Sequence, residues 1–283
     1  MLTDSEKCGI IHKYYIFIDW ERMIKMKKIL AVVSALAIML TLGACGDKPQ
    51  TDKKAESGQD KVYKISSDNS FAPFEYLDTE TNEYTGVDMD ILAAIAEDQG
   101  FKYEVKNEGF DAAMGSVQSG QADAMIAGMT INDERKETFD FSDGYFEDGQ
   151  IMVTKAGSDI KDVSELAGKT VAAKTSTMSA QITEKYAKQY GFEVVYYEDS
   201  PTMYTAVASG TNAACFEDRS VVGWAIKQEK LELQTVGDVV KPAQYGFAVK
   251  KGQNAELIKK FNKGLENIKK SGKYDEILAK YGY

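Results

Sequence analysis

Imidazole is nearly missing from this chain: the only histidine in 283 residues is His12. Cysteine is scarce too, with Cys8, Cys45 and Cys215 the complete set. Nor is there an apolar run long enough to cross a bilayer, which takes ~20 residues. The longest such run, Ile29 to Leu42, falls short of that and follows a basic start at Met26, Lys27 and Lys28. This pattern reads as an export signal, removed from the mature protein together with everything before it. His12 and Cys8 leave with it, which excludes His-based triads, Cys–His nucleophile pairs and His-ligated metal sites from the mature chain. Positive charge is also in deficit. Residues 1–44 hold six of the 34 Lys and Arg and four of the 44 Asp and Glu, so the mature net charge is near −12, which disfavours nucleic acid as a partner.

What is present begins at the end of the apolar run. Leu42-Gly43-Ala44-Cys45 resembles a bacterial lipobox, which implies removal of residues 1–44 and a diacylglycerol on the sulfur of Cys45. Residues 1–25 fit no export signal, so Met26 is the expected start. With Cys45 lipidated, Cys215 has no intrachain partner, no disulfide is expected, and stability rests on the core. Cys215 sits within Ala213-Ala214-Cys215-Phe216 and reads as a small buried residue. Residues 46–60 are polar, charged and without large apolar side chains; with Cys45 they form an expected flexible tether of roughly 20 Å reach. The domain that follows is expected outside the cytoplasm, held near a membrane through Cys45.

From Lys61 strands and helices alternate. Strands are expected at 62–66, 103–106 and 122–126, with helices at 89–97, capped by Asp88, and 111–118, capped by Asp111 and stopped near Gly120. After Gly149 a second series begins: strands at 151–155, 170–173, 194–197, 213–217 and 233–236, with helices at 162–166, 179–190, 201–209 and 221–228. The last portion, a strand at 246–250 and helices at 255–271 and 274–281, has too little sheet to stand alone. Such alternation points to two α/β lobes with helices on both faces of their sheets.

In open α/β sheets ligands sit beyond the carboxyl ends of the strands. There the first lobe presents Asp68, Phe71, Phe110, Gly128, Thr130 and Arg135, and the second presents Lys174, Thr177, Glu217 and Asp218. Opposite charges and aromatic rings converging in one place suit a zwitterion. Arg135 can fork onto a carboxylate, aided by Thr130 and by backbone N–H groups at the start of the helix near Ser179. Asp218 can accept from an ammonium group, with the Gly128 carbonyl completing its shell. Phe71 and Phe110 can clamp the aliphatic part of a ligand and exclude water.

Asp123 to Phe146, DAMIAGMTINDERKETFDFSDGYF, resembles the signature region of the extracytoplasmic solute-binding proteins of polar amino acid ABC importers. SSDNSFAPFEY, GVDMDILAAIAED and FEDRSVVGWAI match the same family in the expected order, so the resemblance covers nearly all of residues 61–283. It implies a two-lobed periplasmic-binding-protein-like fold of type II, each lobe a mixed, mostly parallel sheet flanked by helices. Residues 61–144 plus 246–283 would form one lobe and 150–240 the other, joined by a two-strand hinge at 145–149 and 241–245. Gly144, Gly149 and Gly246 lie where such a hinge must turn. The residues assigned above to the α-groups and the aromatic clamp correspond to family binding positions. The resemblance also implies capture of an amino acid by lobe closure and delivery to an ABC permease with its cytoplasmic ATPase, by a monomer with no cofactor or metal.

An Asp68–Lys174 pair across the cleft would favour a neutral amide side chain, and the pairing resembles glutamine-binding members. Met178 stands where those members usually have glycine, and Glu217 where histidine occurs. Two other functions fit the same fold: a dehydratase with Glu217 moving a proton, and a ligand-sensing subunit for a membrane receptor.

Overall fold

Strands and helices follow one another from Val62 to Lys280 in the computed structural model, which describes residues 61–283. The expected leader, Cys45 and the tether lie outside the described residues. Among the described residues no helix is long and apolar enough to cross a membrane.

The first stretch runs β1 (Val62–Ser67), β2 (Ser70–Phe71), β3 (Glu75–Asp78), β4 (Glu83–Thr85), α1 (Val87–Gln99), β5 (Lys102–Asn107), α2 (Phe110–Ser119), β6 (Ala124–Met125) and β7 (Phe139–Phe141). The second runs β8 (Phe146–Lys155), β9 (Thr170–Lys174), α3 (Met178–Tyr190), β10 (Glu193–Tyr197), α4 (Ser200–Ala208), β11 (Ala214–Asp218), α5 (Arg219–Gln228) and β12 (Leu233–Tyr245). β13 (Ala248–Lys250), α6 (Ala255–Lys270) and α7 (Lys273–Lys280) close the chain.

Two mixed five-stranded sheets form, in the orders β5-β1-β6-β13-β7 and β10-β9-β11-β8-β12. In each, parallel pairs on one side give way to antiparallel pairs on the other. Position in the sheet explains the residue pattern of each strand. Edge strand β5 alternates exposed and half-buried residues, whereas β11, flanked on both sides, is buried throughout.

β13 enters the first sheet between β6 and β7, which is why the last portion needs no sheet of its own. It brings α6 down onto α1. Phe261 stacks on Phe247 with ring centroids 4.5 Å apart, and Gly264 lets the helices meet, since a Cβ there would lie 2.7 Å from Ile95 Cγ2. Long strands β8 and β12 pair antiparallel from the second sheet back to Phe146 and Tyr245, beside the first. Phe74 packs edge-on to both rings at their crossing, with centroids 4.8 and 5.0 Å away.

Several local expectations change. Asp88 does not cap α1; Gly86 does, and the Val87 and Asp88 N–H groups donate to the Pro73 and Phe74 carbonyls. Gly86 has φ +135°, and a Cβ there would lie 2.0 Å from the Phe74 carbonyl oxygen. A backbone cap therefore replaces the side-chain cap and frees Asp88 to turn inward. Asp111 likewise lies in the first turn of α2 behind Gly109 and accepts from Ser176 Oγ at 2.7 Å. The strand expected at 122–126 is only Ala124–Met125. The small β2-β3-β4 sheet forms where no strand was expected. Asp162, expected inside a helix at 162–166, instead precedes Val163–Leu166 as its cap, accepting from Ser164 N–H. Gly144, Gly149 and Gly246 are not in the left-handed region; opposing residues crowd each of them.

Candidate functional site

The carboxyl ends of the two sheets face each other across a narrow cavity whose free volume, about 20 Å³, is far below that of an open small-molecule site. The first sheet's loops line it with Asp68, Phe71, Phe110, Gly128, Thr130 and Arg135; the second's supply Lys174, Thr177, Glu217 and Asp218. All nine residues assigned to a ligand from the sequence border this one space, as do Ala127, Met178 and Glu217.

Arg135 lies in the one-turn helix Arg135–Glu137 and is 7% exposed. Its backbone N–H donates to Asn132 Oδ1, which fixes the turn. One Nη donates to the Thr130 carbonyl at 2.9 Å and the other reaches across to the Ser176 carbonyl at 3.0 Å. The guanidinium lies over Phe110, 5.1 Å from the ring centroid. These bonds use a minority of its five donors and leave the fork geometry intact for a carboxylate. Burial lowers its pKa to about 10, with Asp218 and Glu134 opposing the fall, so it remains a cation at neutral pH.

Gly128 has φ +51°, and a Cβ there would lie 2.6 Å from the Phe71 ring. Only glycine lets the loop after β6 lie this close to the ring. Beneath it, Gly128 N–H donates to Asp88 Oδ2 at 2.8 Å, and Tyr145 O–H donates to the same oxygen at 2.7 Å.

On the facing wall Asp218 is buried, and Gln150 Nε2 donates to its Oδ1 at 2.5 Å. Burial, then Glu217 and Asp148, push its carboxyl well above the ordinary carboxylate range. A cation placed beside it would relieve that cost. Glu217 accepts from Ser200 Oγ, Tyr204 O–H and the Asp218 N–H at 3.0 to 3.1 Å. Burial raises its pKa as well, opposed by the Asp218 N–H and by Lys174. Thr177 caps α3, accepting from Ala180 N–H, and donates its hydroxyl to the Lys174 carbonyl. The first N–H groups of α3 thereby begin at the cavity wall.

Lys174 and Asp68 meet at 2.5 Å with side chains 3% and 2% exposed. The ammonium group lies 5.0 Å from the Phe71 ring centroid and 5.9 Å from that of Phe110. The pairing on which the side-chain preference depended is therefore formed. At the rim, Ser176 meets Asp111 and Gln181 Nε2 donates to Glu134 at 2.7 Å, further links between the two walls.

Two supporting residues escaped sequence reasoning. Gln150 lies on β8, where it reads as a plain strand residue, and only the register pairing it with Asp218 shows its role. Asp88 was assigned to a cap; the crowding at Gly86 shows why it points inward instead.

Comparison with known proteins gives consistent results. The family profile described as bacterial extracellular solute-binding proteins, family 3, matches residues 63–283. The chain is 36% identical over 272 residues to the ABC transporter glutamine-binding protein GlnH of Bacillus subtilis, covering 90% of this chain and 97% of that one. An ancestral arginine-binding protein solved bound to arginine is 38% identical over 78% of this chain and 98% of its own, with a TM-score of 0.74. Substrate-binding domain 2 of Lactococcus lactis GlnP, solved in an open conformation, is 43% identical over 80% of this chain and 97% of its own, yet scores 0.57. The more similar sequence has the less similar shape, as a cleft closed here and open there would produce.

Proposed function

We propose, since the chain belongs to family 3 of the bacterial extracellular solute-binding proteins, that the polar amino acid it captures is glutamine. Binding of a polar amino acid outside the cytoplasm for ABC import is the function of this non-enzymatic transport component. The family membership sets aside the dehydratase reading, and Glu217, taken up by three donors, is a wall of the site.

The observation that carries glutamine is the buried Asp68–Lys174 pair beside two aromatic rings. A primary amide donates to Asp68 through its nitrogen and accepts from Lys174 through its oxygen, which satisfies both charges without adding one. A ligand guanidinium near Lys174 costs roughly 4 kcal/mol at 4 Å separation. The α-carboxylate then lies on Arg135, Thr130 and the first N–H groups of α3, and the α-ammonium on Asp218 and the Gly128 carbonyl. The chain segments at 145–149 and 241–245 act as the hinge, and the closed form is what a membrane permease, driven by its cytoplasmic ATPase, receives from a monomer.

A second reading, arginine, draws on Asp68 and Glu217, two of the three acids that border the cavity, set against the single amine of Lys174; the arginine-bound relative is similar to this chain over nearly all its own length. A thermal-shift screen against the twenty amino acids separates them. Ligand at ~1,000 times its Kd adds about 4 kcal/mol to stability. Glutamine should give the largest shift, and a larger one with arginine would overturn the assignment.

We further propose a lipid anchor on Cys45, supported by the lipobox-like Leu42 to Cys45. Mass spectrometry of the mature protein should find a diacylated Cys45 at its N-terminus; an unmodified one would contradict the anchor.

A further inference from the structure

Behind the ligand loop, three carboxyl oxygens, both of Glu75 and Oδ1 of Asp88, have no hydrogen-bond partner among the described residues. Both side chains are fully buried. Their proximity is built into the backbone, because α1 starts by donating its first N–H groups to the carbonyls of Pro73 and Phe74, immediately ahead of Glu75. The charged and titratable groups facing the pair are Tyr145, Tyr274, Asp68 and Lys174. Of these the one cation, Lys174, is taken by Asp68 at 2.5 Å. Two neighbouring carboxyls in a dry site without a cation of their own do not both ionise. A carboxylate has no donor, whereas a protonated carboxyl has one, so a hydrogen bond between them requires a proton on one side.

We propose that Glu75 is a positioning residue for ligand capture: it carries a proton, donates it in a hydrogen bond to Asp88, and so fixes the Asp88 carboxylate that holds the Gly128 peptide against the ligand. The N-terminus of α1 favours negative charge on Asp88, leaving the proton to Glu75. Burial agrees, raising Glu75 well above the ordinary carboxylate range and Asp88 only to about 6. With Gly128 N–H and Tyr145 O–H on Oδ2, a donor from Glu75 completes Asp88 on its unpartnered side. This inference rests on the proposed contact between the Gly128 carbonyl and the ligand's ammonium group.

The test is calorimetric titration of the mature protein with glutamine, alongside infrared spectra at neutral pH. Glu75→Gln keeps a donor toward Asp88 and should bind within about threefold of the parent; Glu75→Leu removes it and should lose about tenfold or more. The parent should show a protonated-carboxyl carbonyl band that Glu75→Gln lacks. Parent-like binding by Glu75→Leu, or an unchanged band in Glu75→Gln, would overturn the proposal. Should Glu75→Leu not fold, Tyr145→Phe removes another donor to Asp88, with roughly three- to tenfold loss expected and parent-like affinity counting against the relay. A parent that binds no amino acid contradicts the ligand reading itself, while the infrared band still judges the proton on Glu75.

Discussion

The two walls of the cavity are made differently. The first-sheet wall carries both aromatic rings, the guanidinium and the glycine loop, with Arg135 held by its own turn through Thr130, by Phe110 and by one bond across to the Ser176 carbonyl. The wall from the second sheet carries Lys174 and two buried acids, each held by neighbours on that side. One wall therefore supplies most of the grip on a carboxylate and an apolar stem, while on the other Lys174 is matched only by Asp68 from across the cavity. This asymmetry favours an order of events in which ligand docks on the first wall and the second closes over it.

Removing the first wall's grip should have the largest effect. Arg135→Ala loses charge-assisted bonds to the carboxylate and should weaken glutamine binding by about 100-fold or more, abolishing thermal shifts with every amino acid. Lys174→Met strikes the other wall. It leaves Asp68 buried without its partner, so the ligand-free protein should lose roughly 3 kcal/mol in denaturant unfolding. Preference should also move from glutamine toward cationic side chains in competition binding, whereas unchanged preference would separate Lys174 from specificity.

Acidification should affect stability and binding with opposite signs. The raised carboxyls at Asp218, Glu217 and Asp88 contribute stability that is full below their unfolded values and is lost as pH rises through the folded ones, about 6 for Asp88. Between pH 7 and 5 the ligand-free melting temperature should rise by about 2 °C or more. The increment from glutamine should shrink over the same interval, because an ammonium group requires Asp218 ionised. A glutamine increment that grows with acid would show that Asp218 does not meet the ligand's cation. The rim should matter least: Asp111→Ala removes one exposed contact with Ser176 and should change affinity by about threefold or less.

Much of this asymmetry was legible in the sequence. Strand ends can be read from apolar runs, and the residues just beyond them, from Asp68 to Asp218, do share one cavity. What lay hidden depends on distant backbone approach. Asp88 looks like a helix cap because Asp often is one, and only the Phe74 carbonyl 2.0 Å from a hypothetical Gly86 Cβ shows that the cap is already supplied. Gln150 and Glu75 serve the site through strand register and burial, which local sequence does not encode.

The central claim is that one small zwitterion is held at its carboxylate by Arg135 and at its ammonium by Asp218. Calorimetric titration with glutamine, its α-amide and its N-acetyl derivative tests it most directly. Glutamine should bind, and blocking either α-group should weaken binding by about 100-fold. Binding of either derivative within about threefold of glutamine would contradict the account.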